Sequence, residues 1–495
     1  MSLQAGWPLR PGAALALAAV FALAAAARPA AAAEPEAGTG PAAGAEADQA
    51  PLTVALTGKY PPFSFYDENG ELAGFDVDVS RAVAGRLGRR LEIVATEWDG
   101  ILAGLLSGKY DAIIGSMAIT PERARQVDFS EPYYVSGAQL FVRRSDRGDL
   151  DGIAACAGRP VGVGLGETYE HYLRREHPEV EAVTYKSTVD IFQDMENDRL
   201  SGFITDKLVG AWQVKSAGRD FVPAGKLLFE ERIGIPVRKD RPELLAGINA
   251  ALADMQASGE RDRLFEKWFG LARRRPTGMS AATVVRLLLR GFGITIGVAV
   301  ASLAIGFVLA IPLGMVLNRG RGAGCRAVRA FVDFVRGTPV LIQLLFVYFG
   351  APQVGVTLSP IASAVLTLSV SAAAYMSEIV RSGLMSVDHG QELAARALGL
   401  SGRQTFRLVV WPQAFRVAMP PLINAVVALT KDTALISVIS VGEVVREAQS
   451  IISVTFQPIQ YYLIVAGMFF VFTFPLMKLA GRVEARMKER GFVHD

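Results

Sequence analysis

The chain has 495 residues, 51% of them hydrophobic, and a mean hydropathy of +0.30, which excludes a single soluble domain and a generally disordered chain. Its 51 basic and 48 acidic residues leave a formal charge of +3, too balanced for a protein whose main task is gripping nucleic acid. Two cysteines, Cys156 and Cys325, and four histidines without ligand spacing exclude a disulfide scaffold and a cysteine-based zinc site.

At the N-terminus Arg10 precedes an apolar run over residues 13–27, and Ala31, Ala32 and Ala33 offer small residues for cleavage before Glu34. Residues 1–33 therefore read as a signal peptide, and the Ala/Gly/Pro/Glu stretch 34–50 as a flexible tether. From 51 to 270 the composition is that of a soluble domain. Strands are predicted at residues 52–56, 91–95, 112–115, 138–142, 161–163 and 202–205. Helices are predicted at 76–87, 101–107, 168–175 and 188–197. The alternation predicts an α/β arrangement with largely parallel sheets, and the length suffices for two lobes.

A linker over 271–290 leads to a second apolar concentration, 291–482. Residues 291–317 carry no charge and are long enough to cross a hydrocarbon core of about 30 Å. The uncharged run 337–377 is too long for one helix, and its Pro/Gly segment 351–360 divides it into two spans. Residues 408–430 and 457–477 bring the count to five. The four arginines of the loop 319–329 and the basic residues after Met477, including the tail 483–495, predict cytoplasmic ends there. The soluble domain then lies outside, although Arg286 and Arg290 sit on the outer side of the first span. No Gly-x-x-x-x-Gly-Lys-Ser/Thr loop is present, so any ATP and magnesium would be held by another chain.

In the soluble part, Tyr60-Pro-Pro-Phe63, Gly74-Phe-Asp-Val-Asp-Val79, Trp98-Asp-Gly100, and residues 111–123 followed by Asp128-Phe-Ser130 occur in one order and spacing. Over 51–270 the chain resembles the extracellular solute-binding proteins of polar amino acid transport. The resemblance implies a two-lobed α/β periplasmic-binding-protein fold of type II with a free amino acid as ligand. A buried carboxylate and ammonium each need a charge-assisted partner. The resemblance implies Arg123 for the carboxylate and Asp206, at the end of a second-lobe strand, for the ammonium. It places Tyr60 and Trp98 beside the ligand side chain, and Gly115, Ser116 and Thr168 at its main-chain groups. Two departures stand out: Ala118 replaces a hydroxyl residue, and Gly166-Glu167-Thr168 puts a carboxylate where the family has a hydroxyl. Glu167 suits either a basic ligand side chain or the first turn of its own helix.

The apolar part contains Arg336-Gly-Thr-Pro339, Glu378-Ile-Val-Arg381 and the segment 388–412. Together they resemble permease subunits of ATP-binding cassette (ABC) importers for polar amino acids, an all-α transmembrane domain of about five helices. Such permeases carry a coupling loop of Glu-Ala-Ala, three residues, Gly, then nine residues to an apolar-x-x-Pro ending. Ala394, Ala395, Gly399 and Pro412 hold that spacing, whereas Leu393 takes the glutamate position and Glu392 stands one residue early. Lys431 and Asp432 interrupt an apolar stretch and are candidates for the transport pathway or for the membrane interface.

The resemblance implies a fused binding protein and permease, two ABC ATPase partner subunits of the polar amino acid type, a permease homodimer in the lipid membrane, and no cofactor in this chain. The implied place is the inner membrane, with the binding domain periplasmic. Two rivals make different demands. A ligand-gated channel needs a selectivity filter, and no Thr-Val-Gly-Tyr-Gly string is present. A lyase or dehydratase on the binding-protein scaffold needs a placed acid or base, for which Glu167 is the one odd candidate.

Overall fold

A computed structural model describes residues 50–270 and 279–489; the expected signal peptide, most of the tether, part of the linker and the last six residues lie outside the described residues. In chain order the binding half comprises β1 (Leu52–Leu56), β2 (Phe65–Tyr66), β3 (Leu72–Ala73), α1 (Phe75–Arg86), β4 (Leu91–Ala95), α2 (Trp98–Leu106), β5 (Ala112–Ile113), α3 (Pro121–Ala124), β6 (Val127–Phe129) and β7 (Tyr134–Arg143). There follow β8 (Pro160–Gly164), α4 (Thr168–Glu176), β9 (Glu181–Tyr185), α5 (Thr188–Glu196), β10 (Gly202–Asp206), α6 (Lys207–Ala217), β11 (Phe221–Ile233), β12 (Pro236–Arg238), α7 (Pro242–Ala257) and α8 (Glu260–Phe269).

These elements make two five-stranded sheets, in the orders β4-β1-β5-β12-β6 and β11-β7-β10-β8-β9. The expectation of largely parallel sheets needs correction. β12 runs antiparallel to β5 and β6, and β7 antiparallel to β10 and β11. The reason is the chain path: it leaves the first lobe into β7 and returns from β11 into β12, so each lobe receives a reversed strand at the crossing. The crossings are tied side by side, Ser130 N–H donating to Ile235 O (3.0 Å) and Tyr133 N–H to Ile233 O (3.0 Å). Each lobe has its own core, one around Phe63, Phe75, Tyr133 and Ile235, the other around Leu140, Val161, Leu173 and Ile204.

The membrane half comprises α9 (Ala281–Arg319), α10 (Ala323–Gly337), α11 (Val340–Leu345) continued by a π-turn over Phe346–Gly350, α12 (Pro360–Met385), α13 (His389–Ala397), α14 (Gly402–Thr405), α15 (Trp411–Asp432), α16 (Val444–Thr455) and α17 (Pro458–Glu489). Among the described residues, four helical segments are long and apolar enough to cross a membrane; α10 with α11 makes a fifth if that pair, bent by 104°, counts as one. Two expected boundaries shift. The linker 271–290 is not all linker, because Ser280 caps α9 by accepting from Thr283 N–H, so the first long helix begins at Ala281. Most of the arginine-bearing loop is also helical: Arg319 ends α9, and Arg326 and Arg329 lie on α10, whose alternation of basic and apolar residues gives it one wet face. Thr338-Pro339 then turns the chain before α11, since proline disfavours helix at the residue before it. The tail is likewise helical as far as Glu489.

The binding half rests on the membrane half at the ends of alternate spans. Gly70 sits against Thr283 and Leu287 at the start of α9, and Gly100 against Phe349. Lys109 Nζ stands 3.1 Å from the Tyr348 ring centroid. Ser440 Oγ, beyond α15, donates to Thr96 Oγ1 at 2.7 Å.

Candidate functional site

A pocket of about 100 Å³ lies between the lobes, and Tyr60, Trp98, Gly115, Ser116, Arg123 and Thr168 all line it. Asp206 does not reach its wall, although the preceding Thr205 does. Two contacts hold the lobes together over it: Trp98 Nε1–H to Gly166 O at 3.5 Å and Lys186 Nζ to Asp99 Oδ2 at 3.3 Å.

Arg123 belongs to α3, a single turn started by Thr120, whose hydroxyl accepts from Arg123 N–H at 3.2 Å. Its guanidinium donates to Ala118 O at 3.0 Å and stands 5.5 Å from the Trp98 ring centroid, which leaves other donors of the fork for a ligand. Asp206 ends β10 and caps α6, its Oδ1 accepting from Leu208 N–H at 2.7 Å. It is 2% exposed, and burial pushes its carboxyl up to about 6.

The hydroxyls read as ligand donors have other engagements. Ser116 Oγ–H donates to Asp76 Oδ2 at 2.8 Å, and Thr168 Oγ1–H donates to Glu231. A hydroxyl has one proton, so each can only accept from a ligand. The free donors at this point are backbone N–H groups of the first turn of α4, where no side chain caps. Ser116 takes a left-handed backbone (φ 58°), held by its N–H to Tyr133 OH at 3.1 Å, and Tyr133 OH donates in turn to Asp76 Oδ1 at 2.7 Å. Asp76 is fully buried and raised to about 7, first by burial. This carboxylate, the first acid of the Gly74–Val79 string, shapes the pocket from behind.

Six charged residues absent from the expected binding set also line the pocket: Lys59, Glu97, Asp99, Glu167, Lys186 and Glu231. Glu167 is not an outward first-turn residue. Its carboxylate folds over Gly164, where an added Cβ would lie 2.2 Å from Glu167 Cδ. Burial and the neighbouring Glu231 push Glu167 up to about 8, against the pull of Arg123. Glu231 is 6% exposed and accepts from Tyr169 OH at 2.8 Å; burial raises its carboxyl too. The odd carboxylate in the Gly-Glu-Thr turn signalled Glu167. Glu231 had no motif.

In the membrane half, α13 and the chain up to Pro412 carry the coupling spacing. Gly399 has φ +85°, a backbone that glycine alone adopts without strain, and it turns the chain away from α13. Ala395 packs inward, while Ala394 and Leu393 are exposed, Leu393 by 56%. Glu392 lies back along the helix and accepts from Arg396 Nη2 at 2.6 Å. Pro412 follows a π-turn over Phe406–Val410, and beside it Gln413 Nε2 donates to Val409 O at 3.0 Å. A cavity of about 670 Å³ opens between α12 and α15; Asp432 lines it with Arg336, Tyr375, Glu378 and Asn424, and Lys431 does not.

Such geometry defines a two-lobed solute-binding protein seated on a bundle of membrane-spanning helices. Residues 52–271 match the bacterial extracellular solute-binding proteins, family 3, and residues 293–489 match the binding-protein-dependent transport system inner membrane component. The L-cystine-binding protein TcyJ of Escherichia coli (strain K12) is 36% identical over 223 residues, 45% of this chain and 84% of that protein. The glutamine transport system permease protein GlnP of the same strain is 34% identical over 206 residues, 41% of this chain and 94% of its own. A solved structure of an ancestral arginine-binding protein bound to arginine is 37% identical and covers 44% of this chain and 98% of its own, with a TM-score of 0.43. This chain belongs to the polar amino acid ABC importers, as a family 3 binding protein fused to a permease. It is a multi-pass inner-membrane transport protein with an extracytoplasmic binding domain, and the ATP of such importers is held by separate ATPase subunits.

Proposed function

We propose that the chain imports an amino acid with a basic side chain. The observation that carries this is the charge of the pocket. Glu97, Asp99, Glu167 and Glu231 line it together with Lys59, Arg123 and Lys186. Glu167 is raised to about 8, so at neutral pH it holds its proton beside a neutral side chain and ionises beside a cationic one, which a basic ligand supplies. Arg123 holds the ligand carboxylate with the N–H groups of the α4 turn, Asp206 attracts the ammonium from behind Thr205 without lining the pocket, and Tyr60 and Trp98 flank the side chain as it runs toward Glu167. Gly115, Ser116 and Thr168 form the floor.

The rest of the cycle follows the same reading. Contacts to the binding domain fall at the start of α9, the end of α11 and the end of α15. The opposite ends, with Arg319 to Arg329, the 388–412 loop and the tail, then face the cytoplasm. There the exposed Leu393 and Ala394 meet an apolar groove on a polar amino acid-type ATPase, because Glu392 is engaged by Arg396. One set of five spans supplies half a pathway, so two copies pair in the lipid membrane, and Asp432 faces the pathway through its cavity.

The test is binding of L-arginine, L-glutamine and L-cystine to the full chain by thermal shift, followed by uptake in proteoliposomes with a cassette ATPase. L-Arginine is expected to stabilise the protein and to drive uptake only with ATP. Absence of stabilisation by all three, or ion current from the chain alone, overturns the reading.

A further inference from the structure

Helix α16, between the last two spans, lies across the seam of the binding half. Its Val444, Ala448 and Ile451 share an apolar cluster with Val189 of the second lobe, and Tyr66 of the first lobe packs against that cluster. Phe456, at its C-terminal end, stacks on Phe192 at 6.1 Å between centroids. Between these apolar grips runs a polar line. Lys59 Nζ donates to Glu97 Oε1 at 2.6 Å and to Gln449 Oε1 of α16 at 2.7 Å. Arg446 of α16 pairs with the same Glu97 oxygen through Nη1. Arg446 is 3% exposed, and its Nη2 is buried without a hydrogen-bond partner.

Lys59 and Glu97 are also walls of the interlobe pocket. The pocket's outer wall is therefore held by acceptors and donors from both halves. We propose that Arg446 and Gln449 of the membrane half are positioning residues for the amino acid pocket, and that docking delivers the Arg446 charge to Glu97 and so loosens the hold on a bound cationic side chain. Undocked, Glu97 answers to Lys59 and the ligand. Docked, it answers to a second buried cation from the permease, and its attraction for the ligand falls just where release into the membrane half is needed. Gln449 keeps the Lys59 ammonium on the α16 side of the pocket in the same state. Burial and the nearness of Arg446 depress Lys59 to about 8, in line with a crowded cationic wall.

The sign of this effect rests on the cationic-ligand reading; the coupling of Arg446 to Glu97 does not. Dissociation constants for L-arginine and L-glutamine are to be measured on the full chain in nanodiscs for wild type, Arg446→Gln, Arg446→Lys, Glu97→Gln and the double variant Arg446→Gln/Glu97→Gln. One buried charge at the edge of a pocket predicts that Arg446→Gln tightens L-arginine about five- to tenfold, while Arg446→Lys stays near wild type. In the Glu97→Gln background the same change is expected to move affinity by less than about twofold, because its target is gone. In proteoliposomes with the ATPase, Arg446→Gln lowers both the half-saturating concentration and the maximal rate, a split that simple misfolding does not produce. Affinity within twofold of wild type in Arg446→Gln, or an equal shift with and without Glu97, overturns the proposal. Failure of L-arginine to bind wild type sinks the cationic reading instead, and the Glu97-dependence of the Arg446 effect on L-glutamine then decides the positioning role.

Discussion

Glu167→Gln tests both the geometry and the ligand class. The side chain is raised from 4.5 to about 8, chiefly by burial and then by Glu231. A raised carboxyl holds its proton more tightly folded than unfolded. Its contribution is therefore most favourable below 4.5 and is lost as pH climbs from there through 8. Between 4.5 and 7.5, at about 1.4 kcal/mol per unit, that amounts to roughly 4 kcal/mol, and the partly exposed side chain reduces it to about 2 kcal/mol. Gln cannot ionise, so the variant is expected to be more stable than wild type at pH 7.5 by about 2 kcal/mol, or about 6 °C in the Tm of a domain of this size. The two should converge near pH 4.5. L-Arginine reverses the order: its guanidinium favours the ionised acid, so wild type gains affinity between pH 6 and 8 while releasing a proton, and Glu167→Gln loses both. Thermal shift of the full chain across pH, with calorimetry in buffers of different ionisation enthalpy, reads each part. A Tm difference that is independent of pH, or arginine affinity that is flat from pH 6 to 8 in wild type, refutes the reasoning.

Three further outcomes follow from the same structure. Arg123→Ala removes the fork over Trp98 and is expected to weaken amino acid binding by about 100-fold or more, read by calorimetry, the cost of a desolvated carboxylate left without its partner. Leu393→Glu places a charge on an exposed position of α13 and should leave Tm within about 1 °C, while ligand-stimulated ATPase activity of the reconstituted complex falls severalfold. Gly399→Ala forces a Cβ into φ +85°, at a cost of about 1–2 kcal/mol, and should lower the same ATPase stimulation without changing amino acid affinity.

Legibility in the sequence followed the range of the interactions. β1 and β4 match their predicted bounds, because a short apolar run between turn residues is a local signal. β11 escaped prediction although it is 13 residues long: Gly225 (φ 66°) and the charges from Lys226 to Glu231 break its apolar pattern, and the register shifts between Ala224 and Phe229. With that strand went Glu231, a wall of the pocket whose partners Thr168 and Tyr169 are 63 and 62 residues away. The family motifs located Arg123, Tyr60 and Trp98, yet said nothing of how the hydroxyls of Ser116 and Thr168 are spent, since that depends on Asp76 and Glu231 across the fold. The polar line that ties Glu97 to Arg446 and Lys59 to Gln449 joins residues 349 and 390 positions apart, so no window of the sequence can contain it. Covalent fusion gives this line its force. A tethered domain meets its permease at an effective concentration on the order of millimolar, so docking contacts need not be strong to be occupied. They are then free to act on the pocket, and a permease arginine that competes for a pocket carboxylate is affordable only where the partner cannot diffuse away.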